Sequence, residues 1–437
     1  MTETQDLPPL LDLPILATKK PLLVSTYTQT EPKKDCEDSL KELERLLETL
    51  GIPEGLKEAC PMRQFNAATY LGSGKIEELA ELAHKNGCDL IVIDDELPPA
   101  QQRNLEKLFH LPVVDRTEII LEVFAQHAKS REAKLQIEVA QIRYELPRLK
   151  RLWTHLSRQR GGGVNQKGEG EQQLELDKRI LRKKLEGLQK ELEEVQLYRN
   201  TQRRARERSG IATFAIVGYT NSGKSTLLKA LTEADVLIED KLFATLDTTT
   251  RKYRLPNHQD ILLIDTVGFI KKLPHTLVAA FRSTLQEAMS ADILLHLMDA
   301  SSPFVEKQAE ATLSVLKELG AENKPMITLF NKADLVEDPL ILTRLKLTFP
   351  KSVIISALKK EGFDLLIEYM EQELSARRRP LHLNIPQKDY HIVAEIERRG
   401  LILTKEFEND SILIKAELPH DLAQKLLPFQ IKAEEIS

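Results

Sequence analysis

Cysteine is scarce in this 437-residue chain: Cys36, Cys60 and Cys88 are scattered, odd in number and never spaced as CxxC. That excludes a disulfide-stapled framework and a cysteine zinc site, and it fits reduced thiols in a cytoplasmic protein. Long apolar runs are missing too. Stretches such as Leu90–Ile93 are strand-length, far below the ~20 residues a membrane helix needs, so no membrane span is expected. The opening MTETQDLPPLLDLPILATKK is partly apolar, but Asp12 and Pro14 interrupt it and no basic start precedes it, which argues against a secretory leader. The composition, 41% hydrophobic and 30% charged, is that of folded domains in water, and the length asks for more than one core.

The net charge of −5 hides an asymmetry. Residues 129–208 hold 21 Lys/Arg against 12 Asp/Glu, or +9, so the rest of the chain carries −14. A basic block within an acidic chain is what a polyanion-binding element looks like, although a solvated helix of mixed charge would also produce it.

Four segments follow from the patterning. In residues 1–118 the first 20, Pro-rich, are expected to be disordered; strand-like runs at 22–25, 67–71, 89–94 and 112–115 then alternate with helical ones. Such alternation predicts a small α/β domain with a parallel sheet. Residues 119–208 carry two heptad seams, Leu135, Val139, Ile142, Leu146, Leu149, Trp153, Leu156 and Leu181, Leu185, Leu188, Leu192, Val195. Between them 161–170 has five glycines in ten residues. This predicts an antiparallel coiled-coil hairpin with a glycine-rich tip, its first helix interrupted at Pro147. Trp153, the one tryptophan, lies in the seam and reads as core. Residues 209–378 alternate again, with strands expected at 213–217, 252–255, 261–265, Ile293–Asp299, Met326–Asn331 and 353–356, and 379–437 read as a small α+β domain.

The third segment carries the chemistry. Gly218-Tyr219-Thr220-Asn221-Ser222-Gly223-Lys224-Ser225 follows an apolar strand and opens a helix continuing through Thr226. This GxxxxGK[ST] loop turns backbone amides onto phosphate at a helix N-terminus, with Lys224 on the β- and γ-phosphates and the Ser225 hydroxyl on Mg²⁺. Asp265-Thr266-Val267-Gly268 is a DxxG at a strand end: Asp265 would hold Mg²⁺ through water and the Gly268 amide would reach the γ-phosphate. Asn331-Lys332-Ala333-Asp334 is an NKxD, whose Asp334 accepts from guanine N1–H and the 2-amine. Adenine would leave that acceptor unpaired, so guanine is expected. Lys332 would pack along the base, and Ser356-Ala357-Leu358 would offer a backbone amide to guanine O6. Among Phe243-Ala244-Thr245-Leu246-Asp247, Thr245 is the expected switch residue on Mg²⁺ and γ-phosphate. Lys224, Thr245 and Gly268 thus manage the reacting phosphate. The residue after DxxG is Phe269, which cannot orient water; slow intrinsic hydrolysis completed by a partner is expected, unless Phe269 simply packs and another group acts. Gly72-Ser73-Gly74-Lys75 lacks the spacing of a second phosphate loop and reads as a strand-to-helix turn.

With those motifs the third segment resembles translation-factor-like GTPases in which an apolar residue replaces the switch glutamine. Gly72-Ser73-Gly74-Lys75, the stretch 94–104 (DDELPPAQQRN), Val114-Asp115-Arg116-Thr117, Glu171-Gln172-Gln173-Leu174-Glu175-Leu176-Asp177 and Leu242-Phe243-Ala244-Thr245-Leu246-Asp247 are similar to the HflX family over about residues 40–375. The resemblance implies a GTPase that binds the large ribosomal subunit and its rRNA and separates stalled or idle ribosomes, with Ser225 and Thr245 as Mg²⁺ ligands. The family's tip loop reads close to GGGIGTRGPGE, whereas here Lys167 stands for an arginine and Glu169 for a proline. Lysine lacks the bidentate fork of arginine, so tip contacts would differ.

The residues leading to the tip fit an RNA partner on their own account. Between 143 and 167 seven basic residues oppose Glu145 alone, so Arg158, Arg160, Gly161, Gly162, Gly163 and Lys167 are the expected RNA contacts. A monomer is expected. Two other readings stay open: a regulatory G-protein acting on protein partners through its hairpin, and a P-loop phosphotransferase, against which the NKxD argues.

Overall fold

The computed structural model describes residues 18–28, 32–62, 64–149, 167–209, 211–232, 242–243, 248–272, 274, 289–376, 378–408 and 410–431, with side chains within 167–209 given for 174–199 and 201. Trp153, Arg158, Arg160, the glycines 161–163, the side chain of Lys167, and residues 244–247 with Thr245 therefore lie outside the described residues. Among the described residues no helix is long and apolar enough to cross a membrane.

A first unit is built on a four-stranded parallel sheet of order β2-β1-β3-β4, with β1 Pro21–Tyr27, β2 Leu56–Pro61, β3 Leu90–Ile93 and β4 Val113–Asp115. Strand β3 is apolar and β1 largely so in its first half, and both are almost wholly buried, as strands covered on both faces must be. Crossover helices α1 (Lys33–Thr49), α2 (Ser73–Asn86) and α3 (Pro99–Phe109) join the strands. The expected strand at 67–71 is instead a turn, closed by paired hydrogen bonds between Asn66 and Tyr70 and by the Asn66 Oδ1 accepting from the Ala68 amide at 2.8 Å. The strand lies earlier, at β2, an edge strand only partly buried and so lacking the apolar signature that a central strand shows. Helix α4 (Arg116–His127), N-capped by the Asp115 carboxylate on the Glu118 amide, runs across the expected boundary at 118.

Helix α5 (Arg131–Glu145) is N-capped by Ser130 and gives way to a 3-10 turn, Leu146–Arg148, at Pro147. Helix α6 (Lys167–Ser209) runs antiparallel to it: Arg131 pairs with Glu191 at 2.9 Å and Glu138 with Lys184 at 2.6 Å. The seam residues Leu135, Val139, Ile142, Leu181 and Leu188 are buried. Since α6 begins at Lys167, Gly168 and Gly170 belong to its first turns and not to the expected tip loop.

The second unit holds a six-stranded sheet of order β10-β9-β8-β5-β7-β6. Its strands are β5 Ala212–Gly218, β6 Thr249–Arg254, β7 Asp260–Asp265, β8 Ile293–Asp299, β9 Met326–Asn331 and β10 Ser352–Ile354, all parallel except β6. Helices α7 (Lys224–Thr232), α8 (Val305–Glu318), α9 (Pro339–Thr348) and α10 (Phe363–Ala376) follow their strands. With every parallel strand pointing one way, the motif residues fall at the carboxyl edge, where open α/β sheets bind ligands. A three-stranded antiparallel sheet, β11 (Arg378–Pro386), β13 (Ser411–Pro419) and β12 (Leu401–Glu408), comes last and packs helices α11 (Tyr390–Arg399) and α12 (His420–Leu426) over its own core.

Candidate functional site

Strand β5 ends at Gly218 and α7 begins at Lys224, so residues 219–223 form the loop between them. Gly223 has φ +95°, and a Cβ there would stand 2.3 Å from Asn331 Nδ2. Only glycine lets the loop come so close. The approach has a purpose: Asn331 Nδ2 donates to the Ser222 carbonyl at 2.8 Å, and its Oδ1 accepts from the Ala357 amide at 2.9 Å. One buried asparagine thereby ties three motifs together. The Ala357 amide, expected to serve guanine O6, is directed at Asn331 in this arrangement.

The Lys224 ammonium donates to the Tyr219 carbonyl at 2.8 Å and the Gly218 carbonyl at 3.3 Å. Burial pulls its pKa down to about 8; Asp265 opposes that pull and Lys332 adds to it. Beside it the Ser225 hydroxyl donates to Asp265 Oδ2 at 2.7 Å. Among the described residues the other oxygen, Asp265 Oδ1, is buried without a hydrogen-bond partner, as are the hydroxyls of Thr220 and Ser222. Burial lifts the Asp265 carboxyl above its usual range, against the pull of Lys224 and Ser225. Oxygen donors with an unfilled valence beside a phosphate loop are the set that a hard divalent cation takes. The residues fit Mg²⁺ with a nucleotide.

After Asp265 the chain runs through Thr266, whose hydroxyl donates to the Ile216 carbonyl at 2.7 Å, and the buried Val267. At Gly268 a Cβ would lie 2.8 Å from Thr220 Cα and 2.9 Å from Lys224 Nζ. Phe269 then stitches DxxG to the phosphate loop through its backbone, donating to the Gly218 carbonyl at 3.0 Å and accepting from the Thr220 amide at 2.7 Å. Its ring is buried.

At the NKxD motif, Asp334 Oδ1 accepts from the Ser356 hydroxyl at 2.7 Å, and that hydroxyl accepts from the Lys359 amide at 3.2 Å. Lys332 sits in the left-handed region at φ +60°, Ala333 donates its amide to Ile355 at 3.2 Å, and Leu358 is exposed. Thus Gly218 through Thr226, Asp265 through Gly268, Asn331 through Asp334 and Ser356 through Leu358 stand at one sheet edge. Phe243 belongs to the first unit, where its ring packs edge-on against that of Phe124 at 4.5 Å between ring centres.

Three family models match in succession: "GTP-binding GTPase N-terminal" over residues 37–125, "GTP-binding GTPase Middle Region" over 127–206, and "50S ribosome-binding GTPase" over 213–332. The GTPase HflX of Chlamydia pneumoniae is 43% identical over 412 residues, 93% of this chain and 87% of that protein. That of Lacrimispora saccharolytica is 44% identical over 405 residues, 93% and 95% of the two chains, and that of Escherichia coli 39% over 407 residues, 92% and 94%. The chain belongs to the HflX family of GTPases.

As an HflX-family GTPase it hydrolyses GTP, and two features of its site were not legible from the motifs. The Ser356 hydroxyl orients the Asp334 carboxylate, and the backbone of Phe269 couples two loops while its ring packs. The only hint of the first was a serine directly preceding Ala357; for the second there was none. The Gly72 turn is the start of α2, where Lys75 pairs with Glu78 at 2.7 Å. At the end of β3 in the first unit, Asp94 is buried and bound by Arg116 Nη1 at 2.6 Å and Ser25 Oγ at 2.8 Å, with Lys272 3.3 Å away. Burial alone would raise this carboxyl, but Arg116 and Lys272 hold it below the usual range.

Proposed function

We propose that this HflX-family GTPase is completed by the large ribosomal subunit: it binds that subunit and its rRNA, hydrolyses GTP faster there, and splits or rescues stalled or idle ribosomes. The observation that carries this reading is Phe269. Its ring is buried and its backbone is committed to Gly218 and Thr220, so the position after DxxG offers no group to orient water. A partner that orders the switches must supply the remainder, and in this chemistry a supplied group is worth on the order of 10³–10⁵-fold.

In this reading, Lys224, Thr245 and Gly268 hold the reacting phosphate, while Asn331, Lys332, Asp334 and Ala357 read guanine. Ser225 and Thr245, with Asp265 through water, would hold Mg²⁺, which would supply charge neutralisation for the nucleotide phosphates. The four segments 1–118, 119–208, 209–378 and 379–437 divide the labour, with the basic hairpin as the ribosome-facing part: Arg158, Arg160, the glycines 161–163 and Lys167 approach the rRNA backbone. The protein acts as a cytoplasmic monomer.

GTP turnover with and without purified large subunits tests this. We expect stimulation of at least two orders of magnitude, consistent with a supplied catalytic group. A flat rate across a broad range of subunit concentrations would end the partner-completed mechanism. Cosedimentation should weaken steeply with salt, and charge reversal at Arg158, Arg160 and Lys167 together should remove most of that salt dependence. Retention of tight, salt-insensitive binding would favour a protein partner for the hairpin instead.

A further inference from the structure

We infer that Asp299 is a positioning residue of the guanine site, fixing the Lys332 ammonium so that the lysine stem is set for the base before nucleotide arrives. The inference rests on the reading of Asn331 to Asp334 as the guanine-recognition segment, and it adds a residue that lies outside all the motifs.

Strands β8 and β9 end side by side. Asp299 stands opposite Asn331 in register, and the Ala300 amide donates to the Asn331 carbonyl at 2.9 Å. Asp299 Oδ2 lies 2.8 Å from Lys332 Nζ. Its Oδ1 accepts from the Ser301 amide at 3.0 Å and from the Ser301 hydroxyl at 2.6 Å. Both oxygens are engaged, so the carboxylate has one orientation. Lys332 leaves the backbone at φ +60°, a region that lysine seldom visits. The backbone fixes the near end of the side chain and the ion pair fixes the far end. At 25% and 18% side-chain exposure the pair is mostly shielded from water, where attraction exceeds that of a solvated pair.

Charge explains why a carboxylate belongs beside an anion-binding loop. The Lys332 charge reaches Lys224: it is one of the influences that, after burial, bring the Lys224 pKa down. An unpaired Lys332 would repel Lys224 and would be drawn towards the phosphates that Lys224 should hold. Paired with Asp299 it stays at the base end of the site. The order of a long side chain is then established before binding and is not charged to the nucleotide.

The test is a double-mutant cycle in the full chain with D299N, K332M and the double variant, reading GDP affinity and steady-state GTP kinetics. Asparagine keeps the Oδ1 acceptor for Ser301 and loses only the charge. We expect D299N to weaken GDP roughly tenfold, the size of one long side chain's ordering, with the loss in KM and little in kcat. In the K332M background D299N should do nothing further, and D299E should recover part of the loss. Wild-type affinity for D299N, or an equal loss in both backgrounds, would overturn the inference. A fall in the thermal midpoint of nucleotide-free D299N that accounts for the lost affinity would also overturn it, since Asp299 would then be merely structural. D334N separates this from the reading beneath it. If D334N fails to shift preference from guanosine to xanthosine diphosphate, base recognition itself is misassigned; if it shifts and D299N is silent, only the role of Asp299 falls.

Discussion

Lys224 is buried at the heart of the phosphate loop and, with a pKa of about 8, is easily discharged. Phosphate oxygens beside it would restore the charged form. Below pH 8 the ammonium is charged in both the free and the bound protein, and no proton moves. Above pH 8 the free protein has lost the proton that the complex keeps, so binding takes one up and affinity falls as pH rises. Calorimetry of GDP binding in buffers of different ionisation enthalpy should show uptake growing from near zero at about pH 7 towards about one proton near pH 9. In the guanine site proposed above, a second residue would act one step from the base. The Ser356 hydroxyl donates to Asp334, and hydrogen bonds to charged groups contribute about 1.5–3 kcal/mol. Ser356→Ala should therefore weaken GDP roughly tenfold, the low end of that range, while leaving guanine preferred, because Asp334 keeps its charge but loses its fixed orientation. Unchanged affinity in a titration would show that the carboxylate is held without it.

Helix α5 carries a different liability. Glu145, at its end, is 6% exposed and neither carboxylate oxygen has a hydrogen-bond partner among the described residues. Burial raises its pKa to about 8, Glu118 pushes the same way, and Lys184 resists. Nearby Asp115 is lifted to about 6, chiefly by burial and against Arg148. For an acid raised on folding, the folded state holds its proton longer than the unfolded chain does. Stability is thus fully present below the ordinary carboxylate range and is lost as pH climbs through about 8. Glu145→Gln removes the charge and keeps the shape. Its thermal midpoint should match wild type near pH 4 and rise above it progressively towards pH 8, then stay ahead by a constant margin. Parallel midpoint curves would show that Glu145 finds a partner in solution. Elements of this kind were only partly legible in the sequence. Strands β8 and β9 could be read to the residue, since a buried parallel strand is a mostly apolar run and the second of these ends in the NKxD motif. Edge strand β2, half polar, could not, and the Asn66 turn took its place because Ala67 to Leu71 is more apolar than the true strand. In the nucleotide site the motif residues were legible one by one. Their mutual bonds, Asn331 to Ser222 across 109 positions and Asp334 to Ser356 across 22, are products of the fold and leave no local trace.

At the scale of the molecule, apolar burial divides into separate cores. The core of the six-stranded sheet gathers Phe214, Ile216, Leu227, Leu263, Leu295 and Val353, whereas the last sheet gathers Leu381, Leu383, Ile385, Val393, Ile396 and Ile414. No residue belongs to both. The pattern follows from the strands: β11 and β13 bury alternate residues under α11 and α12 and leave the others half-buried or exposed, so the last sheet is satisfied by its own helices. Every residue assigned to phosphate, Mg²⁺ or guanine precedes residue 359. Chain termination after Arg377 should therefore leave GDP affinity within about twofold of the full chain, because distant sites without shared partners act independently. The isolated last sheet is another matter. At some 50 residues a domain buries too little surface to be more than marginal, so it should melt well below the nucleotide-bound remainder. Differential scanning calorimetry of the full chain with saturating GDP checks both statements: a low transition indifferent to GDP should belong to the last sheet, and a higher one should move up with ligand by mass action. A single transition that moves as a whole would mean that the last sheet reports on the nucleotide site, and its removal should then change GDP affinity.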